Sequence, residues 1–89
     1  MKVNECIHSG RYYDTSHAIK RKNERKITVT EVLYVLRNGY HEKRKDEYKP
    51  EYDDWTYAIR GLTIDRKDVR IAIAFDEHEM LIITVIEIK

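Results

Sequence analysis

Val69-Arg70-Ile71-Ala72-Ile73-Ala74-Phe75 places a large apolar side chain at every second position, with small or charged residues between. A period of two is the mark of a β-strand with one buried face. Val69, Ile71, Ile73 and Phe75 form that face; Arg70, Ala72 and Ala74 form the other. Downstream, Met80 to Ile88 is apolar on both faces, as a central strand would be, with the Thr84 hydroxyl interrupting the run. Upstream, Trp55 to Thr63 sets Trp55, Tyr57, Ile59 and Gly61 against Thr56, Ala58, Arg60 and Leu62. Asp65 to Asp68 and Asp76 to Glu79 read as turns, so the three strands are expected to run as an antiparallel meander.

Before these strands the period becomes helical. Val29, Val32, Leu33 and Leu36 follow the spacing of a core-facing helix. Thr28 and Glu31 have the spacing of a capping box. Asn38-Gly39 ends the helix, where a left-handed residue is easily accommodated. Tyr40 to Tyr48 is polar and reads as an edge strand, and Lys49 to Asp54, with the only proline, reads as a turn. Near the start, Val3, Cys6 and Ile7 share one side of a short helix closed by Gly10, and Arg11 to Asp14 reads as a connector. The expectation is a single α+β domain over residues 1–89. Its N-terminal helices pack on an antiparallel sheet of three or four strands.

Composition narrows the function. Seventeen Lys and Arg against sixteen Asp and Glu leave a net charge of +1, which gives no global attraction to nucleic acid. The charge is uneven, however: Lys20 to Lys26 is basic, while acids gather at Asp46 to Asp54. Cys6 is the only cysteine, so an internal disulfide and a cysteine-based zinc site are excluded; no metal or cofactor is expected. The N-terminus lacks the apolar core of a signal peptide, and no apolar run approaches the ~20 residues of a membrane span. The expected location is the cytoplasm, with no membrane partner. A chain of 89 residues supports one modest core. Its site is therefore expected to be an open groove, better suited to a polymer than to a small metabolite.

The most chemically suggestive stretch is Thr15 to Ile27, a short charged helix by its composition. His17, Arg21 and Arg25 recur every four residues and so share one ridge. An imidazole beside guanidiniums suits holding a phosphate and moving a proton next to it. The plainer readings are a solvated face, a His17 that caps or packs, and an Arg25 paired with Glu24, Glu31 or a carboxylate of the sheet.

Ser9-Gly10-Arg11-Tyr12, Ser16-His17-Ala18, Arg21, Glu24-Arg25, Ile27, Glu31-Val32 and Asn38-Gly39 resemble the first half of domain-of-unknown-function family 4258. Tyr57-Ala58-Ile59-Arg60-Gly61 and Ile82-Ile83-Thr84-Val85 resemble its second half. Lys26 departs from it, standing where many relatives carry glycine. The family is grouped with RelE-like and BrnT-like toxins, in the fold shared by barnase, EndoU and the colicin nucleases. The resemblance implies a metal-independent endoribonuclease toxin, with RNA as substrate and a small antitoxin protein as partner. In that setting His17 is the general acid or base, Arg21 and Arg25 hold the phosphate, Arg60 approaches from the sheet, and Thr84 donates a hydrogen bond. Tyr57, Glu42 and His41 are candidates for the second proton-transfer group. Against these roles, Arg60 can be a structural partner of acids, Thr84 an ordinary β-branched strand residue, and Glu42 a solvated one. The alternative function is a non-catalytic RNA- or protein-binding module of the same fold. Strand addition along Tyr40 to Tyr48 or Met80 to Ile88 would give a homo-oligomer.

Overall fold

The Val69–Phe75 alternation is the axis of the sheet in the computed structural model, which describes residues 3–14, 27–51, 53–75 and 79–88. The described elements are helix α1 (Val3–Ser9), strand β1 (Tyr12–Asp14), helix α2 (Val29–Asn38), strand β2 (Tyr40–His41) and a 3-10 turn (Lys43–Lys45). Strands β3 (Glu47–Lys49), β4 (Asp54–Leu62), β5 (Asp68–Phe75) and β6 (Met80–Glu87) follow. The strand order is β1-β6-β5-β4-β2, with β3 also paired to β4. The α+β expectation holds, and the β4–β5–β6 meander is antiparallel throughout.

Alternation decides what each strand buries. Tyr57, Ile59 and Gly61 of β4 stand in register with Ile73, Ile71 and Val69 of β5. This face carries the core: Val69, Ile71, Ile73, Met80, Ile82 and Val85 are fully buried, together with Val32 and Val35 of α2. Each such side chain contributes roughly 1.5–3 kcal/mol relative to exposure. In β6 the register slips, with Ala72 opposite Thr84 but Ile73 opposite Ile82. Ile83 is the extra residue of this bulge. The bulge lets Ile82 and Val85, an odd number of residues apart, both reach the core, and it explains why β6 looks apolar on both faces in sequence.

The helix termini follow local chemistry. The Thr28 hydroxyl accepts from the Glu31 backbone N–H at 3.2 Å, and the Glu31 carboxylate accepts from the Thr28 N–H at 3.0 Å, completing the capping box. Val3, Cys6 and Ile7 of α1 are buried, and Gly10 closes that helix at φ 73°.

Three expectations need correction. Gly39 is extended, at φ −79° and ψ −171°, not left-handed. Its glycine is required by space: an added Cβ would lie 2.6 Å from the Val35 carbonyl oxygen and closer still to that of Arg60. Gly61 lies against it, with a Cβ there meeting the Gly39 Cα at 2.9 Å. This glycine contact lets the end of α2 settle on β4. Tyr40 to Tyr48 is not one edge strand but β2, the 3-10 turn and β3, because the turn lifts the chain off β4 between two short pairings. Arg11 to Asp14 is more than a connector: β1 pairs parallel with β6, Tyr12 opposite Met80, making the sheet mixed and, among the described residues, six-stranded.

Candidate functional site

The face of the sheet away from α2 carries polar chemistry on the same strands. Arg60 and Arg70 stand directly opposite one another across β4 and β5. The row continues to Tyr40 on one side and Ile86 on the other. Two guanidiniums side by side repel, so the pair requires acids between or around them. Glu42 supplies the central one. Its backbone N–H donates to the Ala58 carbonyl at 2.8 Å, which fixes it beside β4. From there its carboxylate reaches Arg70, whose Nε donates at 2.7 Å and whose Nη2 donates at 3.3 Å. Arg60 Nη1 donates to the same carboxylate at 3.3 Å. Arg60 is completed by Asp68, two bonds at 3.0 and 2.7 Å in a planar fork.

Glu42 is not a solvated strand residue: its side chain is only 4% exposed. Burial alone would favour the neutral acid. The bond from Arg70 outweighs it and holds the Glu42 carboxyl below its ordinary range, with Arg60 adding to the effect. Arg60 likewise holds Asp68 low, and Asp68 and Glu42 raise Arg60 in return. At neutral pH the cluster is therefore fully charged, with two cations against two anions.

Thr84 lies on the same face, in the row of Ala72 and Ala58, two residues along β6 from Ile86. The two alanines stand between Thr84 and the Glu42 side of β4. His41 and Tyr57 belong to the opposite face. His41 Nε2 lies 2.8 Å from Asp46 Oδ2, Asp46 also accepts from the Ala58 N–H at 3.0 Å, and the His41 ring meets Tyr57 edge-on at 5.8 Å. Neither reaches the arginines, so Glu42 is the proton-transfer candidate that shares their face. His17, Arg21 and Arg25 lie outside the described residues. The structure thus joins Arg60, Glu42 and, at one remove, Thr84. It adds Arg70 and Asp68, which sequence reasoning missed. The signal for Arg70 was its place at an outward position of an otherwise apolar strand, in register with Arg60.

A family model described as a domain of unknown function, DUF4258, matches residues 15–87. The chain belongs to DUF4258. No curated protein and no solved structure matches it. The DUF4258 match spans His17, Arg21 and Arg25 as well as the whole Glu42–Arg60–Asp68–Arg70 cluster. Among the described residues of this DUF4258 chain, no helix is long and apolar enough to cross a membrane, and no group of three His, Cys, Asp or Glu side chains is placed to hold a metal ion.

Proposed function

We propose that this DUF4258 protein is a metal-independent endoribonuclease of the toxin type, acting on RNA in the cytoplasm and restrained by a small antitoxin protein. The observation that carries the reading is the Glu42 carboxylate, buried and held ionised between Arg60 and Arg70 on one face of the sheet. RNA cleavage without metal needs a base for the 2′-hydroxyl, cations for the charge building on phosphorus, and an acid for the leaving oxygen. An ionised Glu42 takes the 2′ proton as the 2′-oxygen bonds to phosphorus. Arg60 and Arg70, whose other N–H groups have no partner among the described residues, neutralise the phosphate oxygens, and Arg21 and Arg25 are assigned the same role. His17, as imidazolium, gives its proton to the 5′-oxygen as the P–O5′ bond breaks, leaving a 2′,3′-cyclic phosphate. Thr84 donates a hydrogen bond to the phosphate.

The test is incubation with mixed RNA in EDTA, beside His17→Ala and Glu42→Gln proteins purified identically. We expect cyclic-phosphate ends from the parent and a loss of about 10²–10⁴-fold in each variant. Equal cutting by all three would overturn the assignment.

A second reading has its own observation. Arg60 and Arg70 are already balanced by Glu42 and Asp68, so the cluster can act purely to join β2, β4 and β5. The protein is then a non-catalytic RNA- or protein-binding module. It predicts RNA binding without cleavage, or binding of a protein partner alone.

A further inference from the structure

The hairpin of β3 and β4 carries a feature that the arginine cluster does not use. Tyr48 and Trp55 stand opposite one another in register, ring centroids 6.0 Å apart and planes at 73°. They are 45% and 48% exposed, although large aromatic side chains ordinarily contribute to a fold by burial. The Tyr48 ring is tied at its hydroxyl, and Trp55 at its backbone. The Tyr48 hydroxyl donates to the Asp53 carboxylate, and the Trp55 backbone N–H donates to Asp54 at 2.7 Å. An edge-to-face pair of this kind occupies one π-face and leaves others open to a third flat ring.

One residue before β3 sits the 3-10 turn of Lys43, Arg44 and Lys45, all exposed. The hairpin also carries acids: Asp46 pairs with His41 and the Ala58 N–H and Glu47 with Lys49 at 2.8 Å, while Asp53 and Asp54 accept from Tyr48 and Trp55 themselves and Glu51 is exposed. Open aromatic faces a few residues along the chain from consecutive cations match the two parts of a nucleotide, a flat base and an anionic backbone. Tyr, Trp and Arg also suit a protein interface, but three consecutive exposed cations match the repeated charge of a polyanionic strand. In a duplex the base faces are stacked on one another, which restricts the match to unpaired strands.

We infer that Tyr48 and Trp55 form a stacking platform for an unpaired base of single-stranded RNA, with Lys43, Arg44 and Lys45 on the adjoining phosphates. This rests on the RNA reading above and specifies its substrate class. The platform lies on the hairpin, on the face of β4 opposite the arginine cluster, so it binds the strand and takes no part in cutting it.

Trp55 is the only tryptophan, so its fluorescence reports on this site alone. The full chain is titrated in EDTA and low salt with end-labelled oligouridylate, and separately with a duplex of equal length. Label anisotropy measures binding anywhere on the protein, and Trp55 emission measures stacking. Saturable Trp55 quenching by the single strand, with little by the duplex, is expected. Tyr48→Leu should weaken single-strand binding about tenfold. Replacing Lys43, Arg44 and Lys45 with glutamine should lower the slope of log K against log salt by about 2. Thermal melts of each variant separate these effects from loss of fold, and quenching of the parent protein needs no variant at all. If anisotropy rises while Trp55 stays unquenched and the variants bind as the parent does, the platform is overturned and the RNA reading stands. If neither signal changes, the platform and the RNA reading both fall, and the hairpin is left to a protein partner.

Discussion

The two faces of the β4–β5 pair are built from alternate residues of the same strands, yet they are held by different physics. Toward α2, Ile59, Val69, Ile71 and Ile73 interlock with Val32 and Val35 and contribute through buried apolar area. Away from α2, Glu42, Arg60, Asp68 and Arg70 contribute through pairing, and each charge depends on a particular neighbour. The apolar face tolerates changes of shape in proportion to volume. The charged face responds to loss of a partner, because the group left behind is partly dehydrated and uncompensated.

This contrast can be broken by substitution. Ile71→Ala, at the fully buried centre of the apolar face, should cost about 2–5 kcal/mol in urea unfolding. A smaller cost would mean that the core collapses around the gap. Gly39→Ala should cost about 1–3 kcal/mol by forcing α2 away from β4. Gly61→Ala should be milder, since its Cβ would meet the Cα of Gly39 and a Val35 methyl. A neutral Gly39→Ala would show that the helix end shifts freely.

Glu42→Gln sharpens the comparison through pH. It should lower Tm by roughly 5–10 °C at pH 7. The Glu42 carboxyl is depressed in the folded protein, chiefly by Arg70. Its stabilisation is therefore complete above the unfolded-state pKa and lost as pH falls through the folded value. The Tm gap between parent and variant should thus narrow below about pH 4. A gap independent of pH would mean that shape, not charge, is what glutamine disturbs. Arg11→Ala removes the exposed Arg11–Glu5 pair of α1, at 3.0 Å, and should change stability by less than about 0.5 kcal/mol. An effect as large as that of Glu42→Gln would erase the distinction between solvated and buried pairing.

The same contrast explains what could be read from the sequence. Alternation at Val69–Phe75, the Thr28–Glu31 capping box and the Val3–Cys6–Ile7 spacing are local patterns, and each appears where expected. Glu42 was illegible because its setting is polar and its main partner, Arg70, lies on a distant strand; nothing local marks a carboxylate that will be buried. Tyr12–Asp14 is too short to show a period of two, and its partner strand is β6. Gly39 announced a helix end, but only the approach of β4 shows that space is the reason for it. Arg60 was legible as a sheet residue of interest, although its carboxylate partners were not.

The parallel pairing of β1 with β6 also bears on the order of folding. Tyr12 and Met80 are neighbours in the sheet, yet most of the chain lies between them. Closing a loop of that size loses more chain entropy than any turn of the β4–β5–β6 meander. The meander and α2 are therefore expected to assemble first, with the β1–β6 ladder as a late event. Substitutions at Tyr12 should then speed unfolding more than they slow refolding, while Ile71 should affect the refolding rate strongly.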